Sequence, residues 1–326
     1  MVSLDGNDMF SYFIVIDLQD LMIYIFNTSI EYRDRLGLSA DVTFGPEIEF
    51  EKYSHYVVDS FLKTINDDFF CDYDGSLDDG GEINSFIMHD DVYYWNILKK
   101  ICTYLKRNKV DTNHNAGAHL HVGAHVLGSD VEAWRSFLKL YTVYESVLYR
   151  FFYGDKVVAR KKILRYAPPL ADCLYDKMHF FNRADDFRNI YFSLPMEKYQ
   201  AVSFWHVDVQ HVDEIKKGNT IEFRIPNGTA EKIIWQNNVN TCAKMLCSAK
   251  KGIFDVEYLD YKLNNDRISS FQDFCLYQEI QLMNSLEFVD FVFNNNLDKI
   301  YFLKQYLKNF DCGYLKQHSF KRRKMF

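Results

Sequence analysis

The sequence predicts an α+β fold whose sheet is mainly antiparallel. Residues 44–50, 118–123 and 220–225 alternate charged or ligating side chains with apolar ones, as strands with one buried face do. Residues 90–108 and 129–152 instead carry apolar side chains at helical spacing over several turns. Because strands and long helices follow each other without a regular βαβ rhythm, we expect an antiparallel sheet backed by long helices.

The length and composition are those of a globular protein with an aromatic interior. The chain has 326 residues, of which 48% are hydrophobic and 17% aromatic, with 14 Gly and five Pro. This composition excludes a disordered or low-complexity chain. The net charge of −7 argues against nucleic acid as a partner, so an anionic ligand would need a local group of cations or metal ions. An oligomer is compatible with these numbers.

The cysteines and the apolar N-terminal run allow a prediction of where in the cell the protein is located. Seven Cys occur without a Cys-x-x-Cys pair, so we predict neither a disulfide framework nor a thiolate zinc site, and we expect a cytoplasmic location. The run 10–26 is interrupted by Asp17, Gln19 and Asp20 and lacks a basic flank. We therefore expect neither a signal peptide nor a membrane anchor, and no membrane partner.

Local patterns place the elements in order along the chain. The predicted elements are a strand at 42–51, a helix at 53–65, strands at 69–76 and 82–87, the two long helices, an irregular basic stretch at 154–200, a strand at 201–209, a helix capped by Thr229 that runs to about Lys251, and mostly helical residues at 268–309. We divide the chain into an N-terminal extension (1–38), a central domain (39–255) and a mostly helical C-terminal part (256–326) that packs on the same domain.

The first strand carries two carboxylates on one face, Glu47 and Glu49. Glu is depleted in strands, and like charges two residues apart repel each other. Such a pair either lies on a solvated face, which is the common outcome, or holds cations. The two carboxylates would lie about 7 Å apart along the strand, so each could hold a different ion.

The other two strands add imidazoles and a guanidinium. His119 and His121 share a face, which is a common metal-binding geometry, although a satisfied and partly buried histidine pair is an equal alternative. Glu222 and Arg224 also share a face. They could simply pair with each other, or Arg224 could bind a phosphate or carboxylate while Glu222 serves as a third acidic ligand.

An acidic, glycine-containing loop connects two of the predicted strands. Asp74 and Glu82 flank its turn, which would return both to the same end of the sheet as the other acids. A hydrophilic hairpin is the alternative interpretation. The sequence contains neither a Gly-x-x-x-x-Gly-Lys phosphate loop nor a Gly-x-Gly-x-x-Gly fingerprint, so a P-loop or Rossmann nucleotide site is disfavoured.

Taken together, these motifs resemble the amidoligase family. The matching segments, in the same order and spacing, are 44–50, 74–83, 117–123 and 220–229. The family belongs to the carboxylate–amine ligase superfamily of glutamine synthetase and glutamate–cysteine ligase. The resemblance implies a curved, mainly antiparallel sheet with a ligating concave face, in a glutamine synthetase-like catalytic domain that here corresponds to the central domain.

The resemblance also implies roles for individual residues. Glu47, His119 and Glu222 resemble the ligands of an ion that bridges the β- and γ-phosphates of ATP. Glu49 and Glu82 resemble the ligands of an ion nearer the acceptor carboxylate, and Asp74 stands where a further acid is placed. The implied roles are catalysis for Arg224, Glu222 and Glu49; nucleotide contacts for His121 and Arg224, with positive charge added by Arg188, Arg165 or Arg160; and metal ligation for Glu47, Glu49, Asp74, Glu82, His119 and Glu222.

The activity implied by the resemblance is ATP-dependent ligation of a carboxylate to an amine through an acyl phosphate, with two or three Mg²⁺ ions and Mn²⁺ as a possible substitute. The expected substrates are small-molecule, peptide or protein carboxylates and amines. Asp208 and the acids of 72–79 are candidates for accepting the proton of the amine. Residues 154–200 are expected to recognise the acceptor. The alternatives are a metal-dependent hydrolase that uses the same Glu/His cluster and a non-catalytic binding protein that retains the fold.

Overall fold

The fold is organised around a six-stranded sheet in which all neighbouring strands are antiparallel. A computed structural model describes residues 18–112, 115–154, 159–253, 255–266, 277 and 279–308. Its strands are β1 (Phe44–Phe50), β2 (Phe70–Tyr73), β3 (Gly81–Asn84), β4 (Ala118–Gly123), β5 (Val202–Ser203) and β6 (Thr220–Phe223), in the spatial order β2-β3-β1-β4-β6-β5. The predicted α+β class with an antiparallel sheet is confirmed.

Helices occupy most of the rest of the described chain. They are α1 (Leu18–Asn27), α2 (His55–Lys63), α3 (Val92–Arg107), α4 (Val131–Phe152), α5 (Ile163–Tyr166), α6 (Ala171–Phe181), α7 (Phe187–Ser193), α8 (Lys232–Lys251), α9 (Val256–Asn265), α10 (Leu282–Val292) and α11 (Asn296–Tyr306). The helices α2, α3 and α4 fall where the apolar periodicity predicts them. None of the described helices has both the length and the apolarity needed to cross a membrane.

The strand register brings the polar residues of different strands into adjacent rows. Glu47 on β1 lies opposite His119 on β4, and Glu49 lies opposite Glu82 on β3. His121 on β4 lies opposite Glu222 on β6. Since side chains alternate between the two faces of a strand, these rows all project from one face of the sheet.

The other face of the sheet is apolar and forms the core. Ile48, Leu120, Val122 and Phe223 are fully or almost fully buried, and the long helices α4 and α8 lie against this side. The ring of Phe137 on α4 meets Phe223 edge-on, with 6.4 Å between ring centroids. Burial of this apolar face fixes the orientation of each strand, because a shift of one residue would move every ligating side chain into the core.

The helix α4 is the centre of the helical layer, and it carries a buried carboxylate. Glu145 accepts hydrogen bonds from the first backbone amides at the start of α6, Leu170 N at 2.6 Å and Ala171 N at 3.0 Å. The hydroxyls of Tyr141 and Tyr277 also donate to it, at 2.8 and 3.2 Å. Burial raises the pKa of Glu145 to about 7, although these donors oppose the rise. Glu145 therefore holds the N-terminus of α6 against α4.

A buried ion network joins α8 to both ends of the described chain. Asp298, at the start of α11, accepts hydrogen bonds from Arg33 Nη1 at 2.6 Å and from Asn295 Nδ2 at 2.6 Å. The ammonium of Lys244 on α8 also donates to it. The Asp298 side chain is completely buried. The stacked rings of Phe151 and Phe302, 4.3 Å apart, add an apolar contact between α4 and α11.

Two predictions of secondary structure, for 154–200 and 201–209, are wrong in detail. The stretch 154–200 is not irregular, because it contains α5, α6 and α7. The predicted strand at 201–209 is reduced to β5, since the side-chain amide of Asn219 donates to the carbonyls of His211, Val212 and Glu214 and folds 204–219 into a loop.

The helix α8 begins at Lys232, and its cap is Glu231 rather than the predicted Thr229. Thr229 Oγ1 accepts a hydrogen bond from Glu231 N at 3.0 Å and closes a turn ahead of the helix, where Glu231 is the N-terminal cap residue. Of the predicted N-terminal extension, residues 1–17 lie outside the described residues. Part of the predicted C-terminal helical part also lies outside the described residues, namely 267–276, 278 and 309–326.

Candidate active site

The polar face of the sheet forms one side of a cleft of about 470 Å³. This volume is in the range of small-molecule sites. The strands β1, β2, β3, β4 and the segment around β6 supply the residues at its base, and the segments 160–166 and 198–206 supply the opposite side. The cleft therefore lies between the row of acids on the sheet and a stretch that the sequence identifies as basic.

One group of possible metal ligands comes from three neighbouring strands. His119 Nδ1 lies 3.4 Å from Glu47 Oε2 and 3.8 Å from Glu222 Oε1. One ligand atom from each residue lies within 4.8 Å of the other two. We call Glu47, His119 and Glu222 cluster 1. Its spacing is that of atoms arranged around a common ion.

A second group shares the same histidine. His119 Nε2 lies 3.2 Å from Glu49 Oε1, and Glu82 completes a set whose ligand atoms also lie within 4.8 Å of one another. The backbone amide of Gly117 donates to the other oxygen of Glu49 and fixes its orientation. We call Glu49, Glu82 and His119 cluster 2.

The shared imidazole can ligate only one ion at a time in its neutral form. A neutral imidazole has one nitrogen with a free lone pair, and the other nitrogen carries a proton. If Nδ1 of His119 ligates in cluster 1, then Nε2–H points at Glu49 and orients that carboxylate. This division agrees with the roles that the resemblance implies, in which His119 belongs with Glu47 and Glu222.

The surroundings of these ligands fit divalent cations. Both ring nitrogens of His119 and Glu222 Oε2 are buried, and none has a hydrogen bond of acceptable geometry within the described part of the chain. Buried polar atoms are normally satisfied, so these atoms indicate a missing partner. Carboxylate oxygens suit Mg²⁺ and Mn²⁺, and the imidazole is more compatible with Mn²⁺ than with Mg²⁺. The residues present therefore fit ions of this class.

The charges in the cleft also fit the binding of divalent cations. Burial, together with the nearby Glu47, Glu49 and Asp74, raises the pKa of Glu82 to about 9. Burial would also raise the pKa of Glu47, but the imidazoles of His119 and His121 outweigh it and lower that pKa. Carboxylates gathered at this density repel each other, and bound cations would relieve that repulsion.

His121 lies beside cluster 1 rather than in the lining of the cleft. Its Nε2 is 2.9 Å from Glu47 Oε1, and its Nδ1 is 2.8 Å from Thr220 Oγ1. Burial lowers the pKa of His121, but Glu47 and Glu222 outweigh this effect and raise it. A second imidazole, that of His206, does line the cleft, 3.8 Å from Glu222 Oε2. The sequence pattern did not indicate His206, because this residue lies in the loop that replaces the predicted strand.

Two guanidinium groups lie next to the carboxylate clusters. Arg224 donates to the Glu222 carboxylate, and its Nε donates to the carbonyl of Tyr166 at 3.3 Å. Arg160 is buried, and its Nη2 donates to the carbonyl of Arg224 at 2.8 Å. Burial lowers the pKa of Arg160. Both residues line the cleft, so two guanidinium groups face its acids.

The other two arginines expected near a nucleotide lie elsewhere. Arg165 is exposed and lies over the ring of Tyr166, 5.2 Å from the ring centroid. Arg188 is exposed on α7, which packs through Phe187 and Ile190 on its opposite side. Neither lines the cleft, and their contacts with a nucleotide stay a prediction. The further cations that line the cleft come from lysines, Lys162 and Lys198.

Two acids from the predictions have roles different from those expected. Asp74 lines the cleft, but it belongs to neither cluster, and one of its oxygens accepts a hydrogen bond from Ser76 N at 2.8 Å. Asp208 contacts Lys216 and His211 outside the cleft lining, and the hydrogen bond from Lys216 lowers its pKa. A low pKa makes Asp208 a poor proton acceptor. Asp72 does line the cleft, on the row of Glu82.

The fold and the site define a class: an α+β protein whose antiparallel sheet carries a cleft with two groups of possible metal ligands and two guanidinium groups. A family model described as "Putative amidoligase enzyme" matches residues 82–246, about half of the chain. The chain belongs to this amidoligase family, and its membership indicates ligase activity. The match includes His119, Glu222 and Arg224 and begins after Glu47 and Glu49. Neither a curated protein nor a solved structure matches the chain.

Proposed function

We propose that this protein is an ATP- and Mg²⁺-dependent ligase that joins a carboxylate to an amine in the cytoplasm. The observation that carries the proposal is the contact between two carboxylate clusters that share His119, with Arg224 beside them. Phosphoryl transfer requires positioning of the phosphates and neutralisation of their charge, which metal ions and arginine supply. Membership of the amidoligase family supports the same activity.

In this proposal each cluster has a separate place in the reaction. Glu47, Glu222 and Nδ1 of His119 would hold an ion at the β- and γ-phosphates, and Glu49 and Glu82 would hold a second ion nearer the acid substrate. Bound there, the ions would neutralise phosphate charge and orient the transferred group. Mn²⁺ would substitute for Mg²⁺ in the same positions. In this proposal the sheet would act as a glutamine synthetase-like catalytic sheet.

The proposed chemistry has two steps that balance. A carboxylate oxygen of the acid attacks the γ-phosphorus, the bond to the bridging oxygen breaks, and ADP leaves, which produces an acyl phosphate. The amine nitrogen then attacks the acyl carbon, phosphate leaves, and the amine loses a proton to a base or to solvent. Arg224 would stabilise charge on the transferred phosphoryl group. Asp72 and Asp74 line the cleft outside both clusters, and they are our candidates for accepting the proton.

The pair of guanidinium groups favours this activity over metal-dependent hydrolysis. A hydrolase that activates a metal-bound water needs ligands and an open coordination position, but it does not require two arginines beside them. Arg160 and Arg224 are both buried here beside the carboxylates of Glu49 and Glu222. If metal ions neutralised those carboxylates, a phosphoryl group between the metal ligands and the arginines would supply the anion that two buried cations require.

The decisive experiment measures ADP release with a panel of carboxylic acids and hydroxylamine as a general amine, which converts an acyl phosphate to a detectable hydroxamate. We expect release that requires Mg²⁺ and an acid, and one hydroxamate for each ADP. Glu222→Gln and Arg224→Gln should reduce the rate by about 10²–10³-fold, the typical loss for one catalytic electrostatic contact.

The matched control is Glu132→Gln on the exposed side of α4, far from the cleft lining, which should behave as the wild type. The proposal fails if the protein does not bind Mg²⁺–ATP. It also fails if Glu222→Gln and Arg224→Gln leave ADP release unchanged. Stoichiometric copurification of zinc together with hydrolysis of esters or amides would favour the hydrolase instead.

A further inference from the structure

A third glutamate continues the alternating pattern of Glu47 and Glu49. Glu51 follows the end of β1 directly and is only 2% exposed. Unlike the other two glutamates, it neither lines the cleft nor belongs to a cluster of possible metal ligands. A buried carboxylate is costly unless hydrogen-bond donors or cations compensate it. The burial of Glu51 therefore indicates a role other than metal ligation.

The donors to Glu51 come from two separate segments of the chain. Its Oε1 accepts a hydrogen bond from Asp78 N at 3.0 Å, in the loop 74–80 between β2 and β3. Both of its oxygens accept from Asn115 Nδ2, at 2.9 and 3.1 Å, in the segment 115–117 ahead of β4. No cation forms an ion pair with Glu51 within the described part of the chain. Glu51 thus joins the two segments through neutral donors.

The loop 74–80 lies very close to the end of β1, in a backbone conformation that is costly. Lys52 and Asp79 have positive φ angles of 55° and 47°, which residues other than glycine rarely adopt. Lys52 N donates to Asp78 O at 2.9 Å, and a β-carbon on Gly80 would lie 1.9 Å from Phe50 O. Such conformations persist where the surrounding contacts determine them. The loop is therefore held in one position against β1.

Both of the joined segments lead to cluster 2. The loop 74–80 continues into β3, where Glu82 is the second residue. The segment 115–117 ends at Gly117, whose amide donates to the Glu49 carboxylate. Glu49 and Glu82 lie opposite each other in the register of β1 and β3. Glu51 therefore holds together the two segments that determine where these carboxylates lie.

The same hydrogen bonds fix the side-chain amide of Asn115. Carboxylate oxygens can accept only from its Nδ2, so its Oδ1 is not used by Glu51. Asn115 lines the cleft, and its Oδ1 has no hydrogen bond among the described residues. Glu51 therefore also orients one polar group of the cleft directly.

We propose that Glu51 is a positioning residue for cluster 2. It holds the loop 74–80 and Asn115 at the end of β1, and it thereby sets the spacing of Glu49 and Glu82 and the affinity for the ion that they would bind. This inference rests on the proposed ligase function and adds to it a residue that contacts neither ion nor substrate. Cluster 1 should not depend on Glu51, because neither of its carboxylates lies in the segments that Glu51 joins.

The test is a titration with Mn²⁺ in the presence of ADP, followed by electron paramagnetic resonance. The wild type should give two dissociation constants. Glu51→Gln should raise one of them by about tenfold or more, the one that belongs to the ion removed in Glu82→Gln, and should leave the other within twofold. The physical reason is that the new amide group would turn a donor toward Asn115 Nδ2 or Asp78 N, so that two donors oppose each other.

Exchange of the two interacting groups should rescue the site. In the double variant Glu51→Gln/Asn115→Asp, the new amide can donate to the new carboxylate, and its oxygen can still accept from Asp78 N. The net charge is that of the wild type, and the raised dissociation constant should return to within threefold. Asp78→Asn is the control for lost charge, because this exposed side chain makes no ion pair or hydrogen bond among the described residues. It should bind both ions as the wild type does.

The inference is overturned if Glu51→Gln changes neither dissociation constant, or if it raises both by the same factor, as a purely structural role would. It is also overturned if Asp78→Asn has an equal effect or if the double variant is not rescued. If the wild type binds no Mn²⁺, the ligase proposal and this inference both fail. If two ions bind and only one depends on Glu51, yet no ADP is released with any acid, the ligase proposal is wrong and the positioning role stands.

Discussion

The guanidinium of Arg160 occupies the space that a side chain on residue 117 would need. A β-carbon built on Gly117 would lie 1.8 Å from Arg160 Nη1 and 2.8 Å from His119 Nε2. Both distances are well below van der Waals contact. The absence of a side chain at Gly117 is therefore what allows a buried cation to reach the histidine shared by the two clusters.

Replacement of Gly117 by Ala should disturb the site more than the fold. We expect Gly117→Ala to displace Arg160 and His119 and to weaken Mg²⁺–ATP binding at least tenfold, with the far-UV circular dichroism unchanged. Gly75→Ala is the control, since its β-carbon would meet Tyr73 at an ordinary 3.7 Å in the same cleft. If Gly117→Ala bound Mg²⁺–ATP with the affinity of the wild type, the position of Arg160 would not matter for nucleotide binding.

The two clusters predict separable metal sites. Titration with Mn²⁺, followed by electron paramagnetic resonance, should give two bound ions in the wild type in the presence of a nucleotide. Glu47→Gln should remove the ion of cluster 1, and Glu82→Gln should remove the ion of cluster 2. His119→Ala should weaken both at least tenfold, because the imidazole ligates in one cluster and orients Glu49 in the other.

Asp74→Asn provides the comparison for these titrations. Asp74 lines the cleft but lies outside both clusters, so the two ions should still bind. Wild-type Mn²⁺ affinity at either site in His119→Ala would contradict the sharing of this histidine. Loss of an ion in Asp74→Asn, with Glu82→Gln retaining both, would move the second site to the loop after β2.

The buried Glu145 predicts a pH dependence of stability. Its pKa of about 7 in the folded protein lies above the unfolded value near 4.5, so the folded state holds the proton more tightly. The stabilisation from this group is fully present below pH 4.5 and is lost as the pH rises through 7. Urea unfolding should therefore show that the free energy of unfolding falls between pH 5 and pH 7.5 more steeply in the wild type than in Glu145→Gln.

Between pH 5 and pH 7.5, the free energy of unfolding should fall by about 2–3 kcal/mol more in the wild type than in Glu145→Gln. This follows because one pKa unit corresponds to about 1.4 kcal/mol. Glu132→Gln, an exposed substitution on the same helix, should retain the slope of the wild type. Equal slopes in the wild type and Glu145→Gln would show that Glu145 does not titrate in this interval.

The network at Asp298 predicts a large loss of stability. Asp298→Asn would leave Arg33 and Lys244 with their charges buried and uncompensated, and breaking a buried pair in this way typically costs about 3–5 kcal/mol. Equilibrium unfolding in urea measures the loss. Glu231→Gln removes the exposed pair with Lys106 and should change stability by less than about 1 kcal/mol. Equal losses in the two variants would contradict this account.

The sequence predicted which polar residues share one face of the sheet, because that face follows the simplest periodicity. Alternation along 44–50, 118–123 and 220–225 determines which side chains share a face, and it requires no knowledge of distant contacts. The pairing of Glu47 with His119, or of Glu49 with Glu82, then follows once the strands are neighbours. The five residues of the two clusters, including Glu222, were all proposed as metal ligands from local pattern and resemblance, and the structure brings them together.

The residues on the side of the cleft opposite the sheet, in the segments 160–166 and 198–206, could not be predicted in the same way. The helices α5, α6 and α7 are short, and the start of α6 is fixed by Glu145, which is 25 residues away from Leu170 in the chain. Lys162 and Lys198 are ordinary residues of a basic stretch until that packing turns them toward the cleft. For the same reason the sequence could not show that Arg165 and Arg188 lie outside the cleft lining, since charge alone does not show which side of a short helix faces the site.

The opposed walls of the cleft have a consequence for how a molecule arrives. Fixed charges of opposite sign on facing sides create an electric field across the opening, and a field exerts a torque on any molecule with separated charges. A doubly charged or zwitterionic substrate would be rotated into one orientation before it contacts a side chain. Salt would weaken this alignment, so a molecule that entered the wrong way round would become a stronger competitor as ionic strength rises.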